Sequence, residues 1–303
     1  MKVALTGASG FLGPSLVQGL LEAGHRVHVL GRNPERALGK LPAGVTAARF
    51  QAGEPVAPEA LAGAQALIHL AGEPVNQRWT HEAKQRIRDS RVHGTRVLVE
   101  AMRAAGTVER FVSASAVGYY GGERGAEPLT EESAPGRDFL AGVCAGWEAE
   151  AAAAHEFGVS TAVARLGVVL HPEGGALHSM LPPFRMGAGG RVGSGKQYVS
   201  WIHRADVVGA LRFLLEHPEL EGPINLTAPE PVSNLEFAHA LGSVLGRPSV
   251  MHVPGFVLKA ALGEMAMVAL EGQRVLPRRL TEVGFSFRFA RLDEALRELL
   301  PKT

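Results

Sequence analysis

The chain has 303 residues, of which 46% are hydrophobic and 20% charged, with a formal net charge of +1. That is enough apolar material for a sizeable core, and no charge imbalance favours nucleic acid or an anionic membrane as partner. A single cysteine, Cys144, excludes an intramolecular disulfide, no apolar run approaches the ~20 residues of a membrane span, and a strand at the start leaves no room for a signal peptide, so a cytoplasmic location is expected.

The first predicted element is the apolar run Lys2–Leu5, followed by Thr6-Gly7-Ala8-Ser9-Gly10-Phe11-Leu12-Gly13 and a helix over Gly10–Ala23. A strand, a glycine-rich turn and a helix N-terminus in this order suit a dinucleotide pyrophosphate. Gly7 allows the sharp turn, Gly10 lets backbone N–H groups approach a phosphate, and Gly13 lets the helix lie close to the sheet. Thr6, Gly7, Ser9, Gly10, Phe11, Leu12 and Gly13 are therefore candidate cofactor residues.

A second strand, Arg26–Leu30, is followed by Gly31-Arg32-Asn33-Pro34, with no acid before Glu35. An acidic residue near this point would hold a ribose 2′-hydroxyl. An arginine instead pairs with a 2′-phosphate, so Arg32 points to NADP(H) rather than NAD(H). Further strands are expected at Thr46–Phe50, Ala66–Leu70, Arg110–Ser115 and Ser160–Leu166, with helices at Thr80–Ala105 and Phe139–Phe157. Short apolar runs alternating with helices predict a doubly wound parallel α/β sheet. Leu70, Ala71 and Gly72 follow the fourth strand on the same edge as the glycine loop and join the candidate cofactor residues.

Past Leu166 the chain becomes rich in Gly and Pro. A short helix is expected around Leu177–Met186, order resumes at Trp201–His203, a helix covers Ala205–Glu216, and Pro223–Leu226 forms a strand. Ser233 with Glu236 makes a capping box. Residues 255–300 read as helix, turn and a final helix at Leu292–Leu300. Residues 1–166, with 201–227 returning to them, form the expected nucleotide domain. Residues 167–200 and 228–303 form a smaller, interleaved substrate region.

The glycine loop, His69–Gly72 and the segment Phe111–Gly121 together resemble the extended branch of the short-chain dehydrogenase/reductase superfamily, with its Rossmann-type fold. More narrowly, the chain is similar to NAD(P)-dependent epimerase/dehydratase-like, or nucleoside-diphosphate-sugar epimerase-like, proteins. Arg78-Trp79-Thr80 with Asp89-Ser90-Arg91, Trp201-Ile202-His203 with Asp206, and the C-terminal stretches Pro254–Phe256, Gln273–Pro277 and Gly284-Phe285 carry the narrower match. The last of these belong to a segment of unknown function found in that group.

The resemblance implies NADP(H), Ser113 among the cofactor residues, and Ser115 at the position of the superfamily's catalytic Ser/Thr. It also implies a Tyr and a Lys four residues apart on one helix face, the Lys lowering the Tyr pKa. That pair is missing, because Val143 and Trp147 stand in its place and Arg91 stands where extended members often have Asn. Tyr119 and Tyr120 are the candidate replacements, either facing the nicotinamide or packed under the loop. Glu73, Arg91, Cys144, Lys196, Gln197 and Trp201 are candidate substrate residues. Glu148 is an acid/base group or a helix-surface residue, and His203 with Asp206 more simply orders a strand-to-helix junction.

No His-Glu-x-x-His spacing occurs among the 12 histidines and no Gly-x-Ser-x-Gly elbow exists, so no metal is expected. Two functions fit: an NADP(H)-dependent oxidoreductase or epimerase-like enzyme acting on a small or nucleotide-linked substrate, or a non-catalytic NADP(H)-binding sensor. Neither needs nucleic acid or a membrane, and the chain is expected to act as a monomer or homodimer.

Overall fold

Short apolar segments separated by amphipathic helices give the alternation seen in the computed structural model, which describes residues 1–301. The first half runs β1 (Lys2–Thr6), α1 (Gly13–Glu22), β2 (Arg26–Gly31), α2 (Pro34–Leu38), β3 (Thr46–Arg49), β4 (Ala66–His69), α3 (His81–Ala105) and β5 (Arg110–Ala116). It continues with β6 (Glu123–Leu129), α4 (Phe139–Ala152) and β7 (Ser160–Leu166). Then come β8 (Val168–Leu170), α5 (Gly175–Arg185), β9 (Gly190–Val192), β10 (Tyr198–Val199), β11 (Trp201–His203), α6 (Arg204–Glu216) and β12 (Gly222–Leu226).

Seven parallel strands form the central sheet in the order β12-β7-β5-β4-β1-β2-β3. The winding direction reverses at β1, the switch point where such sheets bind ligands outside their carboxyl ends. Thr6 pairs with both Leu30 and His69, and His69 with Ser113, so β2, β1 and β4 end within one residue of each other while β5 runs on to Ala116. One face is covered by α1 and α6 through Leu16, Leu20, Val207 and Leu211. The other is covered by α3 and the end of α4 through Leu98, Met102 and Ala151. Trp201, Phe237, Leu241 and Leu296 centre a third core in the C-terminal region.

A buried arginine locks α6 to the sheet. Arg110, at the start of β5, donates to the carbonyls of Leu214 (2.9 and 2.6 Å), His217 (3.2 Å), Pro218 (3.2 Å) and Leu220 (3.1 Å). These are carbonyls at and beyond the last turn of α6, where a helix runs out of internal donors and favours a cation. Burial pulls the Arg110 pKa down to about 10. At the other end of α6, His203 Nδ1 accepts from the Ala205 N–H at 3.1 Å, and the Asp206 carboxylate accepts from the N–H groups of Arg288 (2.6 Å) and Phe289 (3.0 Å). His203 and Asp206 thus order the junction.

Some boundaries differ from those expected. Helix α1 starts at Gly13, not Gly10, because residues 7–12 form tight turns, with Gly10 N–H bonded to Gly7 O and Gly13 N–H to Gly10 O. Helix α4 stops at Ala152, and a 3-10 turn carries the chain to Gly158, whose φ of +83° ends it. Strand β6 was unforeseen. It is mostly exposed, and its partner is the distant segment Gly272–Val275, so no local apolar pattern marks it. The capping box of Ser233 and Glu236 is present.

Candidate functional site

The glycine loop is shaped by exclusion. Gly7 has φ +76°, and a Cβ there would lie 2.9 Å from the Leu70 carbonyl carbon. A Cβ on Gly13 would lie 2.2 Å from Ala8 O, a backbone atom that cannot step aside. The loop and the start of α1 therefore pack directly on the strand ends. Ser9 and Gly10 are exposed and no side chain caps α1; the Gly10 and Gly13 N–H groups are bonded within the loop and Pro14 has none, which leaves the N–H groups of Phe11 and Leu12 for phosphate oxygens. Phe11 is held under Gly174 and Gly175, where a Cβ on Gly174 would come within 2.6 Å of its ring. Leu12 is buried. Arg32 is exposed just beyond β2, while its neighbour Asn33 caps α2 by accepting from Arg36 N–H at 3.0 Å.

Thr6 and Ser113 are corrected from contact residues to floor. Both are fully buried. The Thr6 hydroxyl accepts from the N–H groups of Leu70 and Ala71, each at 3.1 Å, and lies 2.6 Å from His69 Nδ1. With both acceptor directions taken, its proton goes to Nδ1, which leaves the His69 proton on Nε2. Burial, aided by the Arg91 charge, pulls the His69 pKa down to about 3 and keeps the ring neutral. Ser113 donates to Ala114 O at 3.2 Å.

At the end of β5 the Ser115 hydroxyl donates to Glu148 Oε1 at 2.6 Å. Arg165 grips that carboxylate with Nε to Oε1 at 2.9 Å and Nη2 to Oε2 at 2.7 Å. Burial opposes the Arg165 charge, but its bonds to Glu148 outweigh this and raise its pKa above the ordinary value. The same guanidinium bonds Tyr120 Oη at 2.9 Å and stacks on the Tyr119 ring, 3.5 Å from its centroid. Tyr120 in turn donates to Asn225 Oδ1 at 2.7 Å, and the Asn225 N–H reaches Glu131 Oε1 at 3.0 Å.

Of the two readings of Tyr120, facing the nicotinamide or packed under the loop, this network fits the packed one. Its side chain is fully buried, its hydroxyl is committed on both sides, and burial pushes its pKa up to about 12. Tyr119 is half-buried over Arg165. Glu148 is no surface residue but the centre of the cluster. Arg165, Asn225 and Glu131 were not anticipated, although an arginine inside the apolar strand Ser160–Leu166 was a readable signal, because a charge on a strand buried on both faces requires a partner.

The remaining candidates divide. Arg91 and Cys144 lie near each other and near Ser115, and burial pushes the Cys144 thiol up to about 11, so it stays protonated. Lys196 is exposed in its loop. Gln197 is a brace, its amide donating to Val192 O (3.0 Å) and Ala269 O (2.9 Å), and the Glu73 side chain is engaged by Gln77 at 3.2 Å. Trp201, a candidate substrate residue, packs in the core, wholly buried and donating to Glu230 O at 2.9 Å. Among the described residues no cluster of three or more His, Cys, Asp or Glu fits a metal, and no helix is long and apolar enough to cross a membrane.

A glycine cradle that excludes any Cβ, at the switch point of a doubly wound sheet, defines a dinucleotide-binding α/β protein. The chain belongs to the NAD dependent epimerase/dehydratase family, which it matches over residues 3–226, and residues 253–299 match a domain of unknown function, DUF1731. It is 44% identical to the epimerase family protein SDR39U1 homolog, chloroplastic, of Arabidopsis thaliana, over 99% of this chain and 87% of that protein. It is 37% identical to the epimerase family protein YfhF of Bacillus subtilis, over 99% and 98%. The crystal structure of human epimerase family protein SDR39U1 (isoform 2) with NADPH superposes with a TM-score of 0.86, 32% identity and full coverage of both chains.

Proposed function

We propose that the chain is an NADP(H)-dependent oxidoreductase or epimerase-like enzyme acting on a small or nucleotide-linked substrate, with Ser115 and Glu148 taking over the proton handling of the missing Tyr–Lys pair. It works in the cytoplasm, as a monomer or homodimer, without nucleic acid or membrane. The choice of NADP(H) is supported by Arg32, exposed beyond β2 with no acid beside it, and by the NADPH in the human relative's structure. Bound NADP(H) would supply or accept the hydride. In the oxidative direction the substrate hydroxyl gives its proton to Ser115 Oγ as the Ser115 proton passes to Glu148; reduction reverses both transfers. Arg165 holds the carboxylate in place, and Tyr120 with Asn225 holds Arg165.

The observation that carries this reading is the 2.6 Å Ser115–Glu148 bond at the strand end where the family resemblance places its catalytic Ser/Thr. A panel of carbonyl compounds and sugar nucleotides, read by NADPH fluorescence, tests it. Ser115→Ala and Glu148→Gln are each expected to slow turnover by about 10²–10⁴-fold. Turnover that survives both changes rejects the proton route, and tight NADPH binding with no turnover on any compound supports the non-catalytic sensor instead. Separately, Arg32→Ala is expected to weaken NADPH binding by about 1.5–3 kcal/mol and leave NADH binding unchanged. Equal losses for the two cofactors would remove the 2′-phosphate assignment.

A further inference from the structure

The end of β4 gathers hydrogen-bond donors for which the protein supplies too few acceptors. Arg91, on α3, lays its guanidinium against Gly72, where a Cβ would come within 3.0 Å of Cζ, and over the Trp147 ring, 5.2 Å from its centroid. Its bonds run only from Nη1 and only to neutral oxygens: Glu73 O at 2.9 Å, Ile87 O at 3.1 Å and Ser90 Oγ at 3.5 Å. The neighbouring Glu73 carboxylate is taken by Gln77 at 3.2 Å and lies 3.7 Å from Arg86. Burial already lowers the Arg91 pKa, the mark of a cation short of compensation.

Two more donors lie close by. Trp147 Nε1 and His69 Nε2 are buried and have no partner among the described residues. The Thr6 bonds make Nε2 the protonated nitrogen of His69. The two rings meet edge to face, 6.2 Å apart. Each buried donor left unpaired is destabilising, and a largely buried guanidinium that bonds only neutral oxygens is more so. A group that only accepts, and is negative, relieves the cost at whichever of these donors it meets. Gly72, beside the guanidinium, is exposed at the strand end.

We propose that Arg91, with Trp147 and His69 beside it, is a receptor for an oxyanion of the substrate, a carboxylate or a phosphate monoester, held next to Ser115. The inference rests on the reading of this strand end as the reaction site and narrows its substrates to anionic ones. Isothermal titration of oxalate, and separately of inorganic phosphate, into protein saturated with NADP⁺ tests it without requiring turnover. At least one probe is expected to bind saturably. Affinity should fall about tenfold or more in Arg91→Gln, and about three- to tenfold in Trp147→Phe, which keeps the ring and deletes only the N–H.

Absence of saturable binding would overturn the proposal. So would undiminished binding in both variants when near-ultraviolet circular dichroism shows them folded. Competition between the probe and NADP⁺ would also overturn it, by assigning the donors to the cofactor. Wild-type protein that binds the probe but turns over no carbonyl compound or sugar nucleotide removes the catalytic reading and leaves the receptor in place.

Discussion

Replacing Arg165 with leucine is expected to destabilise the fold by about 3–5 kcal/mol, the usual consequence of removing one partner of a buried ion pair. Arg165 is 3% exposed. Its loss leaves the Glu148 carboxylate buried without a counter-charge, Tyr120 Oη without a donor and Tyr119 without the cation on its face. For a chain of this size the melting temperature should fall by about 5–15 °C in a thermal scan. The double change Arg165→Leu with Glu148→Leu should recover much of that loss, because an apolar pair of similar volume needs no desolvation of charge. If the double variant melts no higher than the single one, the cluster stabilises through packing and not through the charge pair. The recovered protein is still expected to be inactive, since Ser115 would have lost its proton acceptor.

The second large effect concerns Gly13. An alanine Cβ would lie 2.2 Å from Ala8 O and 2.3 Å from Ala8 C, both on a loop tied by backbone bonds to the strand ends. Either α1 lifts from the sheet or the glycine loop is pushed out of shape. Gly13→Ala is therefore expected to weaken NADPH binding by a factor of 100 or more, about 2.7 kcal/mol, and to cost about 1–3 kcal/mol of stability through overpacking. Gly142 is the control. It lies within α4, and a Cβ there would have nothing within 4 Å, so Gly142→Ala should raise stability by up to about 1 kcal/mol on helix propensity. NADPH titration and thermal melting of the two variants check both statements, and unchanged NADPH affinity in Gly13→Ala would show that the loop can yield.

Much of the cofactor half was readable because its signals are local. Gly7 and Gly13 are required by atoms one to five residues away or by the neighbouring strand end, and the order strand, glycine turn, helix makes that visible. The proposal for Arg32 rests on an equally local signal, an arginine that follows β2 where an acid would otherwise stand. The capping box of Ser233 and Glu236 spans one helical turn. The surroundings of Ser115 were less legible. Tyr120 was a candidate proton donor because it follows Ser115 in sequence, yet its hydroxyl meets Asn225, more than a hundred residues away. Glu148 stayed open between an acid/base group and a helix-surface residue because nothing nearby in α4 announces Arg165 across the cluster. Trp201 and Gln197 read as candidate substrate residues because sequence shows their chemistry and not the carbonyl oxygens of Glu230, Val192 and Ala269 that occupy them.

The amino-acid sequence by itself determined the parallel α/β architecture, the dinucleotide cradle and the absence of the Tyr–Lys pair, since apolar periodicity, glycine stereochemistry and residue identity act over a few residues at most. Only the tertiary structure decided which polar groups are satisfied. A buried donor or charge is stable according to what folding places against it: Glu148 found Arg165, Tyr120 found Asn225, and Arg91 met no carboxylate. Those partnerships are settled by packing between distant elements, and they separate the groups that hold this site together from those still open to a ligand.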